Sequence, residues 1–337
     1  MLFRILQILC LLLGVLRPGM AQDIHFSQQY ATRLHLNPAY AGVHADYSVI
    51  ATYRNQLPSL NGAFVTNQLA GYYRLKNEST SVGLVMALDK AGAAGLSNFQ
   101  IGGIYAYQSI INENLAFSAG LQLTYGSQRV DFSQLTFGDQ LNEDGMTNLY
   151  SVEPYVYAPA RYVSAEAGGL IYNNNFWISL AAYHLNQPDI GFNFTSKLQA
   201  KYAVNGGYKF VLNKYYYLNK PYEWSFTPSL TYTHQGNFKK MDAGLYTTIT
   251  PVTLGILYRG LPVFSEYGYD HALVFIAGIV LDPIKIGYSY DVSVSTWGAR
   301  NGGAHEISLS FEKINYGKIF KKRVSGKNYK RIACPSF

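Results

Sequence analysis

LDPIKIGYSYDVSVSTWGARNGGAHEISLSFEK, residues 281–313, is the stretch from which the fold can be read. In its first limb Ile284, Ile286, Tyr288, Tyr290, Val292 and Val294 alternate with Lys285, Gly287, Ser289, Asp291 and Ser293. In its second limb His305, Ile307, Leu309 and Phe311 alternate with Glu306, Ser308, Ser310 and Glu312. A period of two over such lengths makes a strand with one apolar and one polar face. The first limb holds eleven residues, and a tilted strand crosses a bilayer in about 9–11. Asp282-Pro283 sets a tight turn before it, and the Gly-rich run 297–303 sets a longer loop after it. Short turns at one end and longer loops at the other are the pattern of outer-membrane barrel hairpins.

The same period recurs along the chain. It predicts strands near 46–56, 64–76, 80–88, 97–111, 114–127, 161–172, 175–185, 199–212, 223–234, 238–249, 252–259, 268–281, 284–294 and 303–313. The count is fourteen, and even, so both termini should lie on the short-turn side, the periplasm. Short connections at 77–79, 112–113, 173–174, 250–251 and 282–283 alternate with longer ones at 57–63, 90–96, 128–160, 186–198, 260–267 and 295–302. Asn213–Tyr222 breaks this pattern as a long connection on the short side, and Gln235–Asn237 as a short one on the long side. Tyr47, Tyr53, Tyr125, Tyr172, Trp177, Trp224, Tyr258 and Tyr288 are read as two interfacial aromatic belts.

Composition agrees with this reading. The chain has 30 Tyr, 31 Gly and only 14% charged residues, against about 25% in soluble domains. Residues 1–21, MLFRILQILCLLLGVLRPGMA, read as a secretory signal with Arg4 in its basic region and Gly19-Met20-Ala21 at its end. Its apolar run is too short for a spanning helix. The net charge of +7 is concentrated at the C-terminus, where residues 313–337 carry eight Lys and Arg and no acid. A basic tail of that kind lacks the folded, aromatic-interleaved surface of a nucleic-acid binder, so no nucleic acid is expected as a partner. Apolar residues set among its charges suit a docking segment that folds on binding.

Motifs for chemistry are few. The seven His make no HExxH or HxH spacing, and no GxSxG elbow, P-loop or dinucleotide fingerprint occurs. His184, His234, His271 and His305 fall near strand ends and read as interfacial or loop residues. The expectation is a protein without enzymatic activity, cofactor or metal. Gly pairs at 102–103, 168–169 and 206–207 fall inside strands, where they permit bends or close packing of an element in the lumen.

FSQQYATRLHLNPAYAG (Phe26–Gly42), then YRNQLPSL (Tyr53–Leu60), then YDVSVSTWGARNGGAHEISLSF (Tyr290–Phe311), and finally Cys334-Pro335 with a closing aromatic, resemble the PorP/SprF family of the type IX secretion system. Leu57 stands where that family has Trp, and Ala304 is inserted between Gly303 and His305. The motif residues are Phe26, Ser27, Gln28, Asn37, Pro38, Ala39 and Gly42; Tyr53, Arg54 and Gln56; Tyr290, Asp291, Gly302, Gly303, His305 and Glu306; and Cys334, Pro335 and Phe337.

The resemblance implies an all-β transmembrane outer-membrane β-barrel with a periplasmic, basic C-terminal tail. Residues 22–45 would form an irregular plug segment on the periplasmic side, 46–313 the barrel and 314–337 the tail. It also implies export or surface anchoring of cargo proteins that carry a C-terminal sorting domain, together with the periplasmic ring components of the machinery. Outer loops, chiefly 128–160, 186–198 and 295–302, would grip the cargo, while Phe26–Gly42 fix the plug and Tyr53, Arg54 and Gln56 hold it to the first strand. Arg54, facing inward, equally suits an ion pair with an acid in the lumen. A passive or hydrophobic-substrate channel is the other reading of such a barrel.

Overall fold

A computed structural model describes residues 23–60, 62–75, 79–92, 95–112, 115–131, 135–142, 145–146, 158–217, 220–260, 271–294 and 302–313. The strands are β1 (Tyr47–Gln56), β2 (Phe64–Arg74), β3 (Thr80–Ala91), β4 (Leu96–Asn112), β5 (Leu115–Arg129), β6 (Ala160–Tyr172) and β7 (Phe176–Tyr183). They continue as β8, in two pieces (Lys201–Tyr208 and Phe210–Tyr217), β9 (Lys220–Gln235), β10 (Phe238–Ile249) and β11 (Val252–Arg259). The last three are β12 (Ala272–Leu281), β13 (Ile284–Ser293) and β14 (Ala304–Lys313). Each pairs antiparallel with its sequence neighbour, and β1 pairs with β14 from Tyr47↔Lys313 to Gln56↔Ala304. The sheet therefore closes into a fourteen-stranded antiparallel barrel with no free edge.

The alternation in sequence sorts the two faces. On β14, Ile307, Leu309 and Phe311 point outward and are exposed, while Glu306, Ser308, Ser310 and Glu312 point inward and are buried. On β5, Leu121, Leu123 and Tyr125 face out, and Ser118, Gln122 and Thr124 face in. Apolar residues on the outside of a closed barrel need a hydrocarbon solvent, since in water they would be the largest single cost to the fold.

The segment from Asp23 to Asp46 lies inside the barrel. It begins beside Lys201 and Gln235, at the long-loop end, and runs to the short-turn end, where it joins β1. One helical turn (Arg33–Leu36) and one 3-10 turn (Pro38–Tyr40) interrupt it. Asn37 caps the second turn by accepting from Ala39 N at 2.8 Å, with Pro38 in the first position. The barrel's apolar core is made here rather than between sheets. Leu34, Ala39, Tyr40, Ala41 and Val43 pack on Tyr72, Ile104, Leu170 and Trp177. Tyr30 and Ala31 pack on Ile50, Tyr246, Leu257, Val274 and Ile276. Each larger side chain so buried contributes about 1.5–3 kcal/mol.

Several expectations are corrected. The stretch 213–222 is mostly hairpin, because β8 runs on to Tyr217 and β9 starts at Lys220. Its run of Tyr and Lys hides the period of two, and a shift at Val211/Asn213 breaks it. Tyr172 and Trp177 face the lumen, 3% and 1% exposed, and belong to the core instead of a belt. His184 is buried as well. The two ends of the described chain lie at opposite ends of the barrel, Asp23 among the long loops and Lys313 at the short turns. An even strand count fixes where β1 begins, but the inner segment then travels the length of the lumen. For the same reason that segment is not confined to the short-turn end. Residues 1–22, the tail 314–337, residues 132–134, 143–144 and 147–157 of loop 128–160, and residues 295–301 of loop 295–302 lie outside the described residues.

Candidate functional site: the buried ionic knot of the lumen

Four inward strand positions meet two residues of the inner segment. Arg54 is the eighth residue of β1, and its register partner on β14 is Glu306. Asp291 lies near the end of β13 and Arg259 at the end of β11. Arg54 donates to Asp291 at 2.8 Å and to Glu306 at 3.1 Å. Arg259 donates to Asp291 at 2.6 Å. All four are at most 4% exposed. Two guanidiniums face two carboxylates, so the knot is neutral as a whole.

Ser27 closes the knot. Both arginines donate to its hydroxyl oxygen, each at 2.7 Å, and the hydroxyl lies 2.8 Å from both Asp291 oxygens. The Ser27 and Gln28 backbone N–H groups donate to the two Glu306 oxygens at 2.7 and 2.9 Å. The Gln28 amide donates to the Glu306 carbonyl at 2.8 Å. Ionised carboxylates out of water need this density of donors. The arrangement holds a backbone. Its open side is a cavity of about 160 Å³ that Arg259 borders together with Phe26, Gln29, Lys240 and Asp242.

Two further clusters fix the same segment. At the short-turn end Glu312 takes Arg33 at 2.8 Å and Lys285 at 2.7 Å, with His44 at 3.5 Å. At the long-loop end Asp23 takes Lys201 at 2.6 Å and His184 at 2.9 Å, and the other His184 nitrogen meets Ser164 Oγ at 2.8 Å. Burial alone would raise the Asp23 carboxyl, but Lys201 and His184 beside it hold it below the usual carboxylate range. Ser, His and Asp in one chain have the composition of a hydrolytic triad. Ser164, however, has no exposed surface, and the cavity that His184 borders is about 30 Å³, room for little more than a water. Among the described residues no group of three His, Cys, Asp or Glu could hold a metal ion.

The motif residues fall into three places. Ser27, Gln28, Arg54, Asp291 and Glu306 come together in the knot, with Phe26 beside it edge-on to His35 at 5.2 Å. Asn37, Pro38, Ala39 and Gly42 sit farther down. Asn37 donates to the carbonyls of Gly169 and Leu180 at 3.1 and 2.9 Å. Ser118 donates to the Ala39 carbonyl at 2.7 Å. Gly42 takes φ +76° against Ser81. Close approach explains Gly120 and Gly168: a Cβ on Gly120 would lie 2.4 Å from Ala39 N, and on Gly168 1.9 Å from Asn37 Oδ1.

Tyr53, Tyr290 and His305 are not drawn in. Tyr53 is exposed on the outer face, and Tyr290 and His305 meet there at a tilt of 38° with ring centroids 4.8 Å apart. Gln56 ends β1, and Gly302 and Gly303 take positive φ just before β14. Cys334, Pro335 and Phe337 lie outside the described residues. Arg259, Arg33, Lys285, Glu312 and Asp23 were not singled out in the sequence. The signal was there for four of them: Arg259, Lys285 and Glu312 are charges on the polar face of a spanning strand, where each needs a partner, and Arg33 is a charge inside an otherwise apolar segment.

Comparison with known proteins follows the geometry. Among solved structures, the toluene transporter TbuX of Ralstonia pickettii matches 88% of this chain and 95% of its own at 11% identity, TM-score 0.48. The CymD monoaromatic hydrocarbon channel matches 88% and 96% at 10% identity, TM-score 0.43. BamA of Haemophilus ducreyi lacking POTRA domains 1–3 matches 80% and 70% at 10% identity, TM-score 0.39. No curated protein matches the sequence. The sequence profile of the type IX secretion system membrane protein family PorP/SprF matches residues 19–311. With nearly the whole barrel and the Ser27, Arg54, Asp291 and Glu306 blocks inside that match, the chain belongs to the PorP/SprF family of type IX secretion system outer-membrane proteins.

Proposed function

We propose that this barrel works with the type IX machinery as an export accessory and surface anchor, holding cargo proteins by its long loops while its basic tail meets the periplasmic ring components. The observation that carries the reading is the filled lumen. Residues 23–46 occupy it from end to end, three ionic clusters tie them down, and the cavity beside them that Asp23, Phe26 and Arg259 border is about 160 Å³. A solute channel needs a continuous path, whereas an anchor needs a rigid body with loops on one end. The long loops and Asp23 share one end, and the short turns and Lys313 the other. With the short turns periplasmic, the signal peptide is removed on export and the tail remains inside. We also infer that the protein catalyses nothing itself, which is supported by the enclosed Ser164.

The test is affinity isolation of the full-length protein from detergent-solubilised outer membrane, with mass spectrometry of what accompanies it, beside single-channel recording of the purified barrel. Recovery of a large surface protein ending in a sorting domain, with no stable open current, is the expected result. A porin-sized current without any such partner would establish the channel reading instead. Ester or phospholipid turnover that disappears in Ser164→Ala would overturn the non-enzymatic reading.

A further inference from the structure

We infer that the cavity beside the knot, at the long-loop end of the lumen, is a binding site for a small organic acid with one carboxylate and a compact apolar body. The inference does not depend on the anchoring role proposed above.

The space suits such a molecule. The inner segment forms one side of the cavity, and the barrel wall from Ala203 on β8 to Arg259 on β11 forms the other. It measures about 160 Å³, and an apolar cavity of about 150 Å³ takes one benzene ring. Ile24, Phe26, Leu36 and Phe238 supply its apolar lining. Phe26 is held edge-on against His35 at 5.2 Å, so that part of the wall is fixed before anything binds. A pocket with this much hydrocarbon disfavours a hydrated inorganic anion and favours a ligand that brings apolar surface of its own.

The charges around the cavity leave one positive charge over. Lys201, Lys239, Lys240 and Arg259 border it, against Asp23 and Asp242. Arg259 is neutralised within the knot by Asp291 at 2.6 Å. Asp23 matches Lys201 at 2.6 Å, and Asp242 matches Lys240 at 3.3 Å. The two carboxylates have further donors: Asp242 accepts from Gly260 N at 3.2 Å, and Asp23 meets His184 at 2.9 Å. Among the described residues Lys239 has no such acid, and a single carboxylate in the cavity would balance it.

Hydrogen-bonding groups are left over with the same sign. Gln29 uses its carbonyl oxygen on Thr231 at 2.8 Å, which leaves its NH₂ for a ligand. The Lys240 ammonium faces Asp242 with one of its three N–H groups. The His25 ring makes no hydrogen bond among the described residues. The charge of Lys240, then burial, then the charges of Arg259, Arg54 and His35 push the His25 pKa well below its ordinary value. A place that resists a proton in this way is one that welcomes an anion.

The experiment uses the full chain purified in a neutral detergent. The probe is 4-fluorobenzoate, read by its fluorine relaxation against empty micelles, and 4-fluorobenzamide is its uncharged counterpart. Expected are saturable binding of the acid and an affinity at least about tenfold above that of the amide. Lys240→Met should weaken the acid by at least about tenfold. Ala203→Leu, which fills the cavity from the wall and alters no charge, should abolish binding. Heat-shifted migration shows whether each variant is folded, and where one is not, the comparison of acid with amide decides. Equal affinity for acid and amide, binding that survives unchanged in folded Ala203→Leu, or no saturable binding of the acid overturns the site.

Discussion

Arg54 on β1 and Asp291 on β13 are separated in the sheet by β14, yet their side chains meet at 2.8 Å inside the lumen, on either side of Ser27. The contact joins blocks about as far apart in sequence as the barrel allows, and it forms only when β1 and β14 have closed. It therefore records closure and docking of the inner segment in one interaction.

Replacing Arg54 by Met should leave Asp291 and Glu306 with one guanidinium between them. Removing one partner of a buried ionic group costs about 3–5 kcal/mol. The urea midpoint of the detergent-folded barrel should fall accordingly, and Arg54→Met with Glu306→Gln should recover part of the loss. A double variant no more stable than the single would show that the knot is not held by charge balance.

How far the sequence led can be judged residue by residue. The two faces of β14 and β5 were legible because a period of two survives wherever the outside is hydrocarbon and the lumen accepts small polar groups. β8 was cut short because its last residues project as a hairpin in which both faces are polar or aromatic, so nothing enforces alternation. Arg54 was read as inward, and an acid in the lumen was foreseen for it, but which acid was not. That choice depends on β1 lying beside β14, a closure that no local pattern states. Arg259 was not singled out, and its meeting with Asp291 on the next strand but one is likewise set by the curvature of the closed wall. The course of the inner segment was not legible at all, since its apolar residues face all sides and carry no period.

Acid should loosen the inner segment. Burial, then the charge of Lys201, lowers His35 from 6.5 to about 4. Lys240's charge, then burial, pushes His25 well below its ordinary value. A histidine whose folded pKa is depressed resists protonation only while docked. Its contribution is complete above about pH 6.5 and is lost as pH falls toward 4, on the order of 1–3 kcal/mol for His35. Asp23, lowered by Lys201 and His184 against the effect of burial, acts in the same direction: its contribution is present above the unfolded value of 3.8 and is lost below it. Amide exchange across residues 23–46, corrected for the intrinsic rate, should accelerate between pH 7 and pH 4.5 while the strands stay protected. Equal protection at both pH values would count against the docked histidines being neutral.

Glu166 should be replaceable at a gain. Its Oε1 accepts from Thr124 at 2.9 Å, but its buried Oε2 has no partner, and neither does Oε1 of Gln122, its register neighbour. Both residues border a cavity of about 30 Å³ with room for a water, and no protein donor is aimed at these two oxygens. Glu166→Gln keeps the shape and supplies an N–H that Gln122 can accept, so stability should rise by about 1–3 kcal/mol. An unfolding midpoint lower than that of the parent protein would mean that the carboxylate is satisfied by something it binds.

Gly120→Val separates the barrel from its filling. The new side chain would begin 2.4 Å from Ala39 N and 2.5 Å from the Pro38 carbonyl carbon, both backbone atoms that cannot step aside without moving the whole turn. The outer face of β5 is untouched, and β-branched residues suit strands. The barrel should therefore still fold and shift on heating like the parent protein, while the turn at Pro38–Tyr40 leaves its seat. If the inner segment is what closes the lumen, single-channel current should appear in Gly120→Val and be absent from the parent protein. A parent protein that already conducts as well as the variant would show that the segment lines a pore instead of closing one, and the anchoring role would then need other support.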